Sequence, residues 1–357
     1  MADVFACSGC GTVLTDPVER VALPVHASQG YGNGVRLPAL MTAGTYAVDP
    51  WPIGLPWRWW DEIGADEAAA RGVFTPVHSV SGRPPGSVIL APGDIRALRF
   101  ILERCNDGCC GMDNGDGPNL ACAQCGQAAA TRIDVCSYWQ EVRLDPQAVR
   151  RVELDGPAST PTDWETVLTE TRLLMPSADL TEWWSPESYV ATGVAMAHLL
   201  AASGGAPLRF WPGPAADMFG SALDALLPPG PAPKTVALTG PGLRPFDAAP
   251  DISLVPRHPE TGEPWQPPGA RDLVPLAAEL WLQLSSQGTW LRSPATGRLP
   301  AGVLRDDPLP QYSKRWLEVD RGACIHTLCR LPAVREPWLR AIYDRMTNWM
   351  FQPPPLG

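Results

Sequence analysis

From residue 185 onward the apolar positions alternate between helical spacing and short continuous runs, bounded by Gly and Pro. Ser185-Pro186-Glu187 has the form of a helix start: Ser caps, Pro fits the first turn, and Glu sits at the positive end of the dipole. Gly204-Gly205 stops that helix after about Ala202, and its middle, ATGVAMAHLLAA, is apolar on nearly every side and so is expected to be buried. Residues 208–211, 235–238 and 252–255 read as strands. Residues 215–227 read as a helix with Met218, Phe219, Ala222, Leu223 and Leu226 on one face, and 276–284 as a further helix. Leu339, Ile342, Met346, Trp349 and Met350 give a terminal amphipathic helix. Helices and strands in alternation predict an α/β layered domain with parallel strands in at least part of its sheet.

The first 150 residues follow a different pattern. Residues 73–80 and 87–90 are short apolar runs, and the SGRPPG between them fits a hairpin connection. Asp94 followed by Ile95, Leu98, Ile101 and Leu102 has helical spacing behind an N-cap residue, which predicts a short helix in an otherwise β-rich stretch. Trp51, Trp57, Trp59 and Trp60 lie in DPWPIGLPWRWWDE, where large rings cover core beneath an irregular loop or line a groove for a sugar or a Pro-rich peptide. Composition shifts around DGPASTP, which divides the chain into residues 1–154 and 162–357. The expected class is α+β overall, an N-terminal β-rich zinc-binding domain followed by a C-terminal α/β layered domain. There is no internal repeat and no apolar run of the roughly 18 residues that a membrane span requires.

Composition and charge refine this picture. A chain of 357 residues, 45% hydrophobic and 18% charged, has the material for a sizeable core, while 41 Pro and 33 Gly imply many turns and long irregular connections. The net charge of -10 argues against a nucleic-acid partner, because phosphate binding requires clustered Lys and Arg, and the cysteine-rich stretch 88–151 sets seven arginines against eight acids. MADVFACSGCG lacks the basic and apolar regions of a secretory signal, so the expected location is cytoplasmic, where clustered cysteines more often mean metal than disulfides. Lys234 and Lys314 are the two lysines in an Arg-, Ala-, Gly- and Pro-rich chain, a usage typical of high-GC bacterial genomes.

Eight of the ten cysteines lie in the first 136 residues. Cys7-Ser8-Gly9-Cys10-Gly11 and Cys122-Ala123-Gln124-Cys125-Gly126 are both C-x-x-C-G, a spacing that lets two sulfurs converge on one ion while the Gly permits the tight turn. With Cys105, Cys109, Cys110 and Cys136 they make two sets of four, which predicts two structural zinc ions. Adjacent residues rarely reach one tetrahedral centre, so the preferred division is Cys7, Cys10, Cys105 and Cys109 around one ion and Cys110, Cys122, Cys125 and Cys136 around the other. The alternative joins the two knuckles at one ion and leaves the remaining four for a second. An iron–sulfur cluster and a redox dithiol are the rival uses of such thiols. The intervening DNGDGPN reads as a turn, since it lacks the bidentate Glu of a calcium loop. Cys324, His326 and Cys329 could supply three ligands of a third site.

No nucleophile elbow, zinc-protease, Walker or dinucleotide motif is present. A candidate small-molecule site lies where two predicted strands end, with Gly240 and Gly242 beside Arg257 and His258, because ligands of open α/β sheets gather at the carboxyl ends of strands. ERCNDGCCGMDNGDGPNLACAQCG, DVCSYWQEVRLDP and LPAVREPWLRAIYDR together resemble a group of uncharacterised cysteine-rich, zinc-ribbon-like proteins of high-GC bacteria. The resemblance covers most of the chain and implies that the eight N-terminal cysteines act as a unit, but no activity. The expected function is that of a zinc-stabilised cytoplasmic protein that binds a protein partner or serves as an accessory component, with no nucleic-acid or membrane partner. The competing class is an enzyme acting on a phosphate- or nucleotide-bearing small molecule in a cleft of the α/β half.

Overall fold

The computed structural model describes residues 2–30, 37–51, 54, 56–105, 110–113, 115, 117–156, 160–174, 183–184, 186–230, 232–269, 271–285, 313–314 and 318–350. The fold is mixed α+β, with a curled sheet in the N-terminal part and a parallel sheet flanked by helices in the C-terminal part.

The N-terminal strands are β1 (Ala2–Cys7), β2 (Val18–Arg20), β3 (Thr45–Asp49), β4 (Trp57–Trp59), β5 (Ser79–Ser81) and β6 (Ser87–Leu90). They continue with β7 (Leu98–Phe100), β8 (Leu120–Cys122), β9 (Ala128–Ile133), β10 (Glu141–Leu144) and β11 (Val149–Glu153), and a short helix, α1 (Ala65–Ala70), precedes β5. Nine strands form one sheet in the order β11-β1-β2-β3-β6-β10-β9-β8-β7, antiparallel except between β2 and β3. Alternation along the strands buries both faces. Phe5, Leu14, Val18, Tyr46, Leu90, Leu120, Val142 and Leu144 pack inside the curl, while Ala47 and Ile89 face a second cluster with Leu37, Met41 and Trp139. The sheet bends until its far ends meet: Thr15 bridges Ile95, Asp16 N donates to Asp94 O at 2.8 Å, and Arg96 N donates to Leu14 O at 2.7 Å.

That closure corrects two expectations. Residues 94–102 are not a helix; Ile95 joins the bridge to Thr15 and Leu98 pairs with Cys122, so sheet hydrogen bonds replace the helical ones that the apolar spacing favoured. The Asp94 carboxylate accepts from Gly44 N at 2.9 Å instead of capping a helix. Nor do residues 73–80 and 87–90 form a hairpin: β5 pairs with β4, and β6 lies between β3 and β10. The tryptophans divide as well. Trp51 lies against Gly72, where a Cβ would meet its ring at 1.7 Å, and Trp60 packs on a small cluster with Ile63 and Val80, whereas Trp57 and Trp59 stay half exposed.

The C-terminal part opens with α2 (Trp164–Leu174), started by Asp163, whose carboxylate accepts from Thr166 N at 3.0 Å. Next come β12 (Trp183–Trp184) and α3 (Pro186–Ser203), the buried helix expected from its apolar middle. Then follow β13 (Leu208–Phe210), α4 (Pro214–Leu226), β14 (Lys234–Leu238), β15 (Ile252–Arg257), β16 (Asp272–Ala277) and α5 (Ala278–Ser285). Strands β13 to β16 lie in sequential order and all parallel. The helix expected over 276–284 therefore starts at Ala278, after a strand that the sequence hides. Its Pro275 is tolerated because β16 is an edge strand. After β17 (Ser313–Lys314), which pairs with β12, the last described elements are α6 (Arg321–Leu328) and α7 (Pro337–Met350). Gly193 lets the start of α6 lie directly on α3, since a Cβ there would stand 2.2 Å from Asp320 O. Val25, Phe74 and Val77 of the N-terminal part pack on the core of this second sheet, and Ala22 N donates to Glu260 O at 2.7 Å. No described helix is long and apolar enough to cross a membrane.

Candidate metal centre

Both C-x-x-C-G segments are tips of hairpins and fold identically. At the first, Cys7 N donates to Thr12 O at 2.8 Å and Gly11 N to Cys7 O at 2.9 Å. At the second, Cys122 N donates to Gln127 O at 2.8 Å and Gly126 N to Cys122 O at 2.9 Å. Gly11 and Gly126 both have φ of 78°, a left-handed conformation that a side chain disfavours. The likeness extends to the neighbouring strands. A Cβ on Gly11 would lie 3.6 Å from Arg150 Nη2, and one on Gly126 would lie 3.5 Å from Arg99 Nη2, so each turn is covered by an arginine of the adjacent edge strand, β11 or β7.

The curl of the sheet brings the two tips together. Cys7, Cys10, Cys122 and Cys125 place their sulfurs within 4.8 Å of one another, with Cys7 Sγ to Cys125 Sγ and Cys10 Sγ to Cys122 Sγ each 3.6 Å. All four are unbridged thiols. Zinc–sulfur bonds of about 2.3 Å put the corners of a tetrahedron about 3.8 Å apart, so this set fits one zinc ion. Four protein thiolates complete the coordination and leave no position for water, the arrangement of a structural site. Arg99 and Arg150 supply positive charge beside a centre that carries two net negative charges when loaded. At the junction a Cβ on Gly9 would meet Gln127 Oε1 at 2.4 Å and displace that amide, whose oxygen accepts from Cys7 Sγ at 3.4 Å.

Hydrogen bonding prepares the thiols unequally. The Thr12 hydroxyl, 3.2 Å from Cys10 Sγ, and the Thr12 N–H together hold the Cys10 thiol down at about 6. At Cys125 the Gln127 N–H acts in the same sense, but hydrogen bonding with Cys10, burial, and the Cys7 and Cys122 sulfurs outweigh it and push the thiol up to about 12. Four sulfurs this close hold few negative charges until a cation joins them, and metal binding releases the remaining protons.

The structure thus joins the two knuckles, the first half of the alternative division of the cysteines. The preferred one, which gave each knuckle a different partner set, fails because the order of strands places β1 and β8 near opposite ends of a sheet whose ends meet. Of the other four, Cys109 lies outside the described residues. Cys110 and Cys136 come together, with Cys136 N donating to Cys110 Sγ at 3.1 Å. Asp134 fixes the chain beside them, accepting from Met112 N at 2.7 Å, and its charge helps to raise the Cys105 thiol after burial and the Glu103 carboxylate. Asp113 Oδ1 accepts from Gly115 N at 2.8 Å, the turn expected of DNGDGPN.

Cys324, His326 and Cys329 do not converge. Burial pushes the Cys324 thiol up to about 12 and holds His326 down at about 3, while Cys329 Sγ donates to His326 O at 3.1 Å. Among the described residues the four-cysteine group is the one set of three or more such ligands drawn together. The residues of the predicted small-molecule site are also dispersed. His258 is buried, with Nε2 2.8 Å from Thr162 O and Nδ1 accepting from Glu260 N, and Arg257 donates to Leu23 O and Gly262 O. Gly240 packs on Trp281, whereas Gly242 lines a cavity that Arg257 and His258 do not reach.

No family model, no curated protein and no solved structure matches this chain. No family is therefore identified, and its chemistry is read from its own residues.

Proposed function

We propose that the chain is a zinc-stabilised protein in which one structural ion, held by Cys7, Cys10, Cys122 and Cys125, fastens the two ends of the N-terminal sheet. The observation that carries this reading is the meeting of four sulfurs within 4.8 Å from hairpins near opposite ends of a nine-stranded sheet. A second zinc belongs to Cys105, Cys110 and Cys136 together with Cys109, which the count of eight assigns to the same ion. The N–H···S bond from Cys136 to Cys110 supports it, since thiolates of structural zinc sites accept such bonds. A coordination sphere closed by protein ligands leaves the ion no position for water or substrate, so the metal serves structure and not hydrolysis. The reading is therefore of an accessory, protein-binding component, whose net charge of -10 disfavours nucleic acid.

Metal content of the purified full chain tests it. Two zinc ions per chain are expected, Cys10→Ser should remove one, and Cys136→Ser should remove the other. A chain purified without zinc, whose melting temperature added zinc does not raise, would refute the reading; one ion lost only in Cys10→Ser would refute the second site alone.

A further inference from the structure

Outside the metal centre the molecule holds a cavity of about 690 Å³ at the carboxyl ends of β13 and β14, a size within the range of small-molecule sites. Parallel strands end there, with their side chains and the following loops turned towards one crevice, and this is where parallel sheets place ligands. Phe210, Pro212, Leu238 and Leu243, all partly accessible, make the walls mainly apolar. At the lining Trp211 remains 44% exposed, its ring 4.6 Å from that of Phe246 and tilted by 52°. Arg244 is the one charged residue among the described lining residues.

This combination selects a ligand class. Apolar walls disfavour a sugar or a polyphosphate, whose hydroxyls and charges would be left without partners. A half-exposed indole offers a face on which a flat ring stacks, and a single guanidinium matches a single planar anion with two parallel hydrogen bonds. We propose that this cavity binds a planar aromatic carboxylate, its ring stacked on Trp211 between the apolar walls and its carboxylate paired with Arg244. The site is separate from the zinc centre, and the predicted residues Arg257 and His258 take no part in it.

Titration calorimetry of the full, metal-loaded chain with 2-naphthoate and its neutral counterpart 2-naphthamide decides the matter. Saturable one-to-one binding of naphthoate is expected, with the amide weaker by about fivefold or more because it forfeits the charged pair. Arg244→Gln should abolish that preference, and Trp211→Ala should weaken both compounds by about tenfold. Both side chains are exposed, so unchanged melting of the variants is expected; should Trp211→Ala unfold, Arg244→Gln alone decides. Equal affinity for the two compounds, no saturable binding, or an Arg244→Gln variant that retains the preference would overturn the proposal.

Discussion

Cys7 Sγ and Cys125 Sγ lie 3.6 Å apart although 118 residues separate them in the chain. The contact joins β1, second from one end of the sheet, to the hairpin of β8, second from the other. An ion at this point acts as a clasp on a curled sheet, supplementing the few hydrogen bonds between residues 14–16 and 94–96. A covalent cross-link over a loop of about 100 residues is worth about 4–5 kcal/mol through the unfolded chain alone, and thiolate–zinc bonds add to that. Removal of the metal with a strong chelator at neutral pH is therefore expected to lower the melting temperature by about 10 °C or more, at about 2–4 °C per kcal/mol for domains of this size. Differential scanning calorimetry with and without chelator checks it; an unchanged transition would show that the clasp is dispensable.

The two knuckles make a second prediction through Gly11 and Gly126, both at φ of 78°. Alanine at either position costs about 1–2 kcal/mol of left-handed strain in the turn that aims the sulfurs. Zinc affinity should fall by about tenfold in Gly11→Ala and in Gly126→Ala, measured by competition with a chromophoric chelator. Gly86 provides the control. It has φ of 90°, open space around its Cβ position and no part in the centre, so Gly86→Ala should destabilise the protein and leave zinc affinity alone.

What could be read from the chain was local. The C-x-x-C-G spacing and the apolar run of α3 with its Gly204-Gly205 stop carry their structure within a few residues. The joining of the knuckles stood only as the alternative division, because it depends on the order of nine strands and on closing contacts such as Thr15 with Ile95. The helical spacing of Asp94 to Leu102 lost to the same long-range pairing. β16 was hidden because DLVPLA runs into AELWLQLS without a polar break, and Pro275 argues against a strand unless the strand is known to be an edge. Arg257 and His258 looked available at a strand end; their partners, Leu23 O and Thr162 O, lie far away in sequence. The cavity beside Trp211 and Arg244 had no motif to announce it, since its parts come from four separate segments.

A third prediction concerns acid. Burial holds the His26 imidazole down at about 4 from its ordinary 6.5, with its ring 4.5 Å from that of Trp139. A base with a lowered folded pKa is neutral in the native state, and the unfolded chain takes up the proton first. Its contribution to stability is therefore complete above pH 6.5 and is lost as the pH falls from there towards 4. His326, held down at about 3 by burial and by the Arg330 charge, acts with the same sign. The melting temperature should drop between pH 7 and pH 5, and His26→Gln should show a shallower drop. Zinc loss over this range affects both proteins, so the difference between their slopes isolates the imidazole; parallel slopes would reject the assignment.

The last prediction separates packing from metal binding at Gly240. A Cβ there would stand 2.2 Å from Trp281 Cζ2, and Trp281 is itself buried, with Nε1 donating to Thr239 O at 2.9 Å. The ring cannot retreat without breaking that bond inside the core. Gly240 is not among the left-handed glycines, so the cost of a side chain is steric alone. Gly240→Ala should destabilise by about 1–3 kcal/mol, as overpacked cores do, measured by urea unfolding. In Gly240→Ala/Trp281→Phe the smaller ring makes room, and the two substitutions should couple by about 0.5 kcal/mol or more. Zinc content should stay at the native level in the single variant under native conditions, because the metal centre does not touch this contact. Additive losses would show that the indole is not what the glycine accommodates.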